Sequence, residues 1–462
     1  MSTCKCNVTP AIAFVDLATF DELSAYLYGG AMAVTYFVRS VSKANWFSFI
    51  ATALRHCSGI CNFGEEFSAS VNRSGDYVLN VWLRVKVPKL KLDTTQFSTQ
   101  GIFVRWTHNF MHNLIKKVNI TFNELCIHEF DNCWLDFNHY FRTRGSKRVG
   151  YDTMIGEVSD MVTPVELSIL GKFLGTGGFF NLPLPFFFTE DSGIALPVAA
   201  IPFNDIKINY CLRDWQDMLV INPGSSGLTR DQVIAHIVDE NGKEPKLQQC
   251  ETFAHYAVIH NDERVLMGKA PRDLLIHQVQ HLQEQPFDVL AAQQTYDLRF
   301  SHAIHFMAWA AKNITILGEH SNYAVLDPLN TDPVNLNGFD PIVHSTLIYE
   351  NTPRVDMGSD YYSTVVPWYW CDAIPDVSGI HGYSYSLEAF GLDPKGSTGY
   401  SKLANVSICI KPSDAATLDA TNEPSQGTIL PTGTARKYRL CYRVRNWNIV
   451  RLSGGSLGLP VL

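Results

Sequence analysis

Residues 181–209 read NLPLPFFFTEDSGIALPVAAIPFNDIKIN, and the rest of the chain is best read outward from them. Pro183, Pro185, Pro197 and Pro202 exclude a helix interior. Apolar runs separated by Pro, Gly and Asp predict short strands joined by tight turns. IALPVAAI and FNDIKIN are the strand candidates, and Asp191-Ser192-Gly193 is the turn. Phe186, Phe187 and Phe188 cannot all face one side of a strand, because successive side chains alternate. Both faces must therefore find apolar partners, as happens where two sheets meet or a domain presses on a neighbour.

The chain has 462 residues, which predicts two or three domains at about 100–200 residues each. Hydrophobic residues make up 46% and aromatics 12%, enough for sizeable cores with a lean toward β structure. Charged residues are only 18%, against about 25% in ordinary domains. Two readings fit: a surface that meets other protein, or a large chain with little surface for its volume. The net charge of −8 and a single base among the first thirty residues, Lys5, leave no basic arm for nucleic acid. The N-terminus carries no secretory pattern, and no run of about 18 apolar residues predicts a membrane span. Eleven cysteines without a signal peptide predict a reducing compartment and mostly free thiols. The five N-x-S/T sequons (Asn7, Asn72, Asn119, Asn313, Asn405) fit the ordinary use of Asn and Thr in turns and strands.

Along the chain, residues 1–13 read as loose. Asp16–Tyr28 is a helix candidate, with Leu17, Phe20, Leu23 and Leu27 on one stripe packed against its own domain. YFVRSV (36–41), EFSASVN (66–72), DYVLNVWLRVKV (76–87) and LIKKVNITF (114–122) alternate as strands do. Asn132–Phe141 predicts a short helix. Residues 142–180 read as a loop-rich basic stretch with Arg142, Arg144, Lys147 and Arg148, a solvated loop or subunit contact rather than a phosphate site. Residues 216–250 read as an insertion, FAHYAVI (253–259) as a strand, and 262–273 as a helical connector.

The second half repeats the strand style in LLIHQVQHL (274–282), YDLRFSHAIHFMAW (296–309), STLIYE (345–350), YYSTVV (361–366), YSYSLEAF (383–390), LANVSICI (403–410) and YRLCYRVRNWNIVRL (438–452). Val104-Arg105-Trp106-Thr107-His108 echoes Leu298-Arg299-Phe300-Ser301-His302, and Asn-Ile-Thr follows each at the same distance, at Asn119 and Asn313. The echo suggests two halves of one kind, each a β-sandwich or barrel.

No stretch carries a catalytic signature. Asp191-Ser192-Gly193 resembles half of an aspartic-protease motif, but the second carboxylate that must share the proton has no counterpart, so it reads as a turn. His108 and His112 have the spacing of a zinc helix without the adjacent glutamate. In a strand they would stand about 13 Å apart, so they read as core or surface histidines, as do His302 and His305. Cys4-x-Cys6 and Cys57-x3-Cys61 lack a second pair at ligand spacing. Gly175-x-Gly177-Gly178 lacks the Lys-Ser/Thr of a phosphate loop. The expectation is no catalytic residue, no cofactor-binding residue, no metal ligand and no cofactor. A carbohydrate-binding or carbohydrate-active sandwich is the alternative, with Trp368-Tyr369-Trp370 as a stacking surface.

The segments FVDLATFDELSAYLYGG (14–30), TYFVR (35–39), RSGDYVLNVWL (73–83), RWTHNFMHNLI (105–115), GYDTMIG (150–156), LPLPFFFTEDSGIALP (182–197), RFSHAI (299–304), LIYENTPR (347–354), GSDYYSTVVPWY (358–369) and NIVRLSGGSLGLPVL (448–462) run nearly the whole length. In them the chain resembles the major capsid proteins of large icosahedral DNA viruses, closest to the iridovirus family. It departs at Gly396-Ser397-Thr398-Gly399-Tyr400, where the family often has Asn before the Tyr. The resemblance implies an all-β fold of two consecutive jelly rolls, each an eight-stranded β-sandwich, with short helices in the connections and at the N-terminus. The division is then 1–30 as an N-terminal helical segment, 31–264 as the first jelly roll, 265–273 as connector and 274–462 as the second. It further implies a homotrimeric, pseudo-hexagonal capsomer in the virion shell, assembled in the host cytoplasm. The implied partners are neighbouring capsomers, minor capsid and penton proteins and the internal viral membrane, with no direct nucleic acid. Loops 216–250, 317–341 and 411–436 become candidates for the outer face or trimer contacts, and the helix at 16–28 for the inner base.

Overall fold

The computed structural model describes residues 10–31, 33–39, 41–93, 101–169, 171–222, 228–269, 271–326, 340–417 and 435–460. Two units divide the chain, Met1–Trp46 and Phe47–Leu462. In the first, the helix expected over 16–28 is two helices, α1 (Pro10–Ala18) and α2 (Glu22–Tyr28). Asp21 causes the break: it leaves helical geometry to accept the Ser24 N–H at 2.8 Å, an N-cap that starts a new helix. Leu17, Phe20, Leu23 and Leu27 are exposed rather than packed. YFVRSV is not a strand either; β-rich composition yields a strand only where a partner strand exists.

The second unit begins with β1 (Phe47–Ala53), β2 (Arg55–Gly59), β3 (Glu66–Ser70), β4 (Tyr77–Lys86), β5 (Leu90–Leu92) and β6 (Phe103–Trp106). It continues with α3 (Phe110–Leu114), β7 (Ile115–Phe122), β8 (Leu125–Asp131), α4 (Asn132–Arg142), α5 (Gly145–Ile155), α6 (Ser159–Val162), β9 (Val165–Glu166), β10 (Phe179–Pro183) and β11 (Ile206–Leu212). β12 (Leu219–Asn222), α7 (Arg230–Ile234), β13 (Ile237–Asp239) and β14 (Gln249–Ile259) close the first half. The sheets are β1-β14-β4-β10 and β2-β3-β11-β7-β8, with β12-β6-β9 and β13-β5 as smaller additions. The stretch 142–180 is helical in α5 and α6 and loop-rich beyond them, and 216–250 is no insertion: β12 and β13 pair with β6 and β5.

After α8 (Asn261–Lys269), the expected helical connector, come β15 (Arg272–His281), β16 (Gln285–Phe287), β17 (Gln294–Asp297), β18 (Ala303–Asn313), β19 (Ile342–Tyr349) and β20 (Thr352–Gly358). α9 (Val366–Trp370), β21 (Ile380–Ser384), β22 (Thr398–Gly399), β23 (Val406–Pro412), β24 (Tyr438–Ser453) and β25 (Ser456–Gly458) follow. Their main sheets are β15-β24-β18-β21 and β17-β23-β19-β20. YYSTVV is not a strand but a wide helical turn leading into α9. Pro367 cannot donate in that helix, and Tyr362 fixes the segment by packing on Trp309 and donating to the Ser345 carbonyl at 2.9 Å. The sequence echo is not a structural repeat, since Val104–Trp106 lies in β6 whereas Leu298–His302 is a loop between β17 and β18. Of the loops marked as outer-face candidates, 223–227, 327–339 and 418–434 lie outside the described residues, as do Cys4 and Cys6.

Burial explains the unusually apolar β18, AIHFMAWAAKN. Met307, Trp309 and Ala311 enter the core between the two sheets of the second half. Phe306, Ala308 and Ala310 face the other way and join the core of the first half. A strand buried on both faces reads as a continuous apolar run. β24 does the same: Leu440, Tyr442 and Val444 enter its own core, while Arg443 and Arg445 are buried toward the first half. One sheet of the second half therefore serves as a floor for the first.

Residues 181–209 sit on that floor. Beyond β10 come three short 3-10 turns, at Phe187–Thr189, Ser192–Ile194 and Val198–Ala200, and the last two, with Pro197 between them, stand where the IALPVAAI strand was expected. Only Leu196 keeps an extended bridge, to Val78. Phe186, Phe187 and Phe188 are all fully buried, as two-sided packing required. Asp191 accepts the Gly193 N–H at 2.9 Å in an exposed turn. Asp191→Asn keeps an oxygen acceptor there, so its urea midpoint should match the parent to within about 0.5 kcal/mol. A larger loss would mean that the carboxylate has a role beyond the turn.

Candidate functional site

Two features stand out: a polar seam between the halves, and apolar surface left exposed among the described residues. In the seam, Arg105 Nη1 of β6 donates to Glu319 Oε2 at 2.8 Å. The Glu319 carboxylate also accepts Thr107 Oγ1 at 2.9 Å and the N–H groups of His320 and Ser321 at 3.0 and 3.2 Å. Burial pushes its pKa up, but the charges of Arg105 and His108 outweigh this and hold it well below the usual carboxylate range. Asp136 of α4 accepts from Ser321 and Tyr323 across the seam at 2.7 and 2.8 Å, and from Asn109 at 2.9 Å.

Asp131 has two uses. It caps α4 through the Trp134 N–H at 3.0 Å and pairs with Arg443 of β24, whose Nε lies 2.9 Å away. Burial works against the ionised carboxyl, yet the Arg443 charge and hydrogen bonds keep its pKa below the ordinary value. Glu190, at the end of the phenylalanine turn, pairs with Arg445 and with Arg142. Arg144 and Arg148 reach Asp372 and Asp376 at 3.1 and 2.8 Å. Three of the four bases marked in the sequence are therefore engaged within the chain, two of them across the seam. Sequence reading missed Glu319, Asp131 and Glu190 as carboxylates of the seam, paired with Arg105, Arg443 and Arg445. The one available signal was YRVRNW, where arginines alternate with apolar residues in a strand buried on both faces.

The other marked residues separate. His108 and His112 flank a helix start rather than a strand; their Nδ1 atoms pair with Glu157 at 2.6 Å and Asp136 at 2.7 Å. His302 is exposed at a turn and His305 is buried. Among the described residues no group of three His, Cys, Asp or Glu side chains could hold a metal. Cys57 is exposed and free, whereas Cys61 is disulfide-bonded to Cys250, which corrects the expectation of free thiols at those two positions. Their Cα atoms, 6.0 Å apart, lie within bridging range. Gly175 and Gly177 have positive φ in a loop beside the Leu90–Leu174 bridge.

The uncovered surface has two parts. The outermost strands β1 and β20 are exposed along nearly their whole length, β1 presenting Phe47 and Phe49. Such edges need covering to avoid indiscriminate pairing. Trp368 and Tyr369 are also exposed, 71% and 66%, on α9. An open groove of about 830 Å³ lies between α5 and the sheet face carrying Trp82 and His255, rimmed by Arg142, Lys147 and Pro183.

Residues 35–259 match the profile of the major capsid protein N-terminus, and residues 263–458 match that of the large eukaryotic DNA virus major capsid protein. The chain belongs to this major capsid protein family. Curated relatives include the major capsid proteins of Costelytra zealandica iridescent virus and of Invertebrate iridescent virus 6, 44% and 42% identical, each covering 100% of both chains. That of Lymphocystis disease virus 1 is 40% identical over 97% of this chain and 98% of its own. Among solved structures, the PBCV-1 virus capsid matches with a TM-score of 0.72 at 18% identity, over 93% of this chain and 100% of that one. The Faustovirus major capsid protein matches at 0.67 and 12%, over 91% and 93%. These capsid chains share the double jelly-roll fold, so the β-sandwich halves are jelly rolls. The capsid protein is a structural component of a virion and not an enzyme, and Asp191-Ser192-Gly193 is a turn in a structural protein.

Proposed function

We propose that three copies of the capsid protein associate into a pseudo-hexagonal capsomer, and that these capsomers tile an icosahedral shell. The carrying observation is the pair of sandwiches in one chain: three chains then present six similar units around a threefold axis, so a trimer can occupy a near-hexagonal lattice position. The exposed edges β1 and β20 and the low overall charge favour this reading, because lateral contacts would cover the apolar surface. The proposed domain division is 31–264, a connector at 265–273, and 274–462. Neighbouring capsomers, minor capsid and penton proteins are the proposed partners. The inner face is directed toward an internal membrane, without direct contact with nucleic acid, and assembly takes place in the host cytoplasm. Sedimentation velocity of the purified protein tests the association. A species of three chains at micromolar concentration is expected, and a monomer persisting there would exclude the proposal.

A further inference from the structure

Three histidines meet in the seam without the partners a buried imidazole needs. His128 comes from β8, His277 from β15 and His305 from β18, and none is more than 4% exposed. The His277 and His305 rings are 4.9 Å apart, and Trp447 of β24 lies 4.0 and 4.9 Å from them. The Phe187 N–H donates to His128 Nδ1 at 3.2 Å, which leaves the ring proton on Nε2. Among the described residues, that Nε2 and both ring nitrogens of His277 and of His305 find no hydrogen-bond partner. A buried polar group in this condition is costly, and a charged one far more so.

The charged surroundings oppose protonation. Arg445 of β24 and Arg142 of α4 face the cluster, and Glu190 is the carboxylate beside it, 3.8 Å from His277 Nε2. Glu190 is already engaged by both arginines. Arg443 is paired with Asp131 and Lys312 with Glu284, so β24 and β18 offer no spare carboxylate. Burial first, and then the Arg445 charge, push all three imidazoles down, His128 to about 3.

We propose that His128, His277 and His305 form a proton-sensitive joint, and that proton uptake by the rings once exposed favours transient opening of the seam between the two jelly rolls under mildly acidic conditions. The joint belongs to the single chain and does not depend on the trimer. Its sign follows from linkage. The rings are neutral in the folded chain, while the unfolded chain binds protons near pH 6.5. Stability is therefore complete above that pH and is lost progressively below it. From pH 7.5 to 5.5 each ring raises the unfolding constant about tenfold, and the three together about a thousandfold. His108, raised by its carboxylate neighbours against the pull of burial, works in the opposite direction and offsets part of this.

Mass-spectrometric exchange of the histidine C2 protons on the folded, full-length protein reads each ring's titration directly. The three seam histidines should show no inflection above pH 5. Inflections near 6.5 at those three positions would overturn the proposal, and this measurement needs no variant. In urea unfolding, His277→Phe with His305→Phe should reduce the pH 7.5 to 5.5 change in the unfolding constant about a hundredfold. The proposal also fails if the change is the same in variant and parent. Amide exchange should rise at pH 5.5 across 184–190 and 441–447 before it does in β17, β19 and β23, and simultaneous exchange of both regions would contradict opening at the seam.

Discussion

Glu319→Ala is expected to lower the stability of the capsid protein by about 3–5 kcal/mol, read as a shift of the first urea transition. The magnitude comes from what is left behind. Arg105 loses this buried carboxylate, and the Thr107 hydroxyl and the Ser321 N–H lose it as an acceptor. Breaking a buried ion pair costs much more than a surface pair is worth. Glu319→Gln keeps the shape and part of the hydrogen bonding, so it should fall between parent and alanine. The carboxyl pKa is depressed in the folded state, so its contribution is intact above about pH 4.5 and is lost only as pH falls through the lower folded value. This window lies below that of the seam histidines, so acid loosening between pH 6.5 and 5 should survive in the glutamine variant. A loss under about 1 kcal/mol for the alanine variant would mean that the seam is wet rather than closed.

The second large effect falls in the opening stretch of sequence. Phe186→Ala should destabilise by about 3–5 kcal/mol, the usual cost of truncating a fully buried aromatic. The Phe186 ring packs within 5.2 Å of Phe130 and 5.7 Å of Phe188, and 6.0 Å from His128. Removal leaves a cavity beside the histidine cluster. Phe186→Leu refills most of it and should cost less than half as much. Equal losses for the two substitutions would show that ring stacking rather than volume holds the turn.

Much of the fold was legible because alternation is a local signal. β4, β7 and β15 each announce a more buried and a more exposed face in their own residues, and Asn132–Phe141 announces a helix. The failures have physical causes. YFVRSV has strand composition but pairs with no strand among the described residues, YYSTVV is turned into helix by Tyr362 and Pro367, and IALPVAAI is broken at Pro197 between two 3-10 turns. The Phe186–Phe188 run correctly predicted a two-sided environment without saying what lay on the other side. The seam itself was hidden, because its pairs join residues remote in the chain: Asp131 and Arg443 are 312 positions apart. No local window contains both charges, so an arginine in a strand looks like a surface residue until its partner arrives from the other half. That the protein is no enzyme, as its capsid relatives show, agrees with suspect motifs that each lacked a partner their chemistry requires.

The most direct measurement of the account is single-particle imaging of the purified full-length protein at micromolar concentration. The account predicts threefold particles of near-hexagonal outline, each showing six upright sandwiches. Isolated two-lobed monomers, or symmetric dimers, would contradict it.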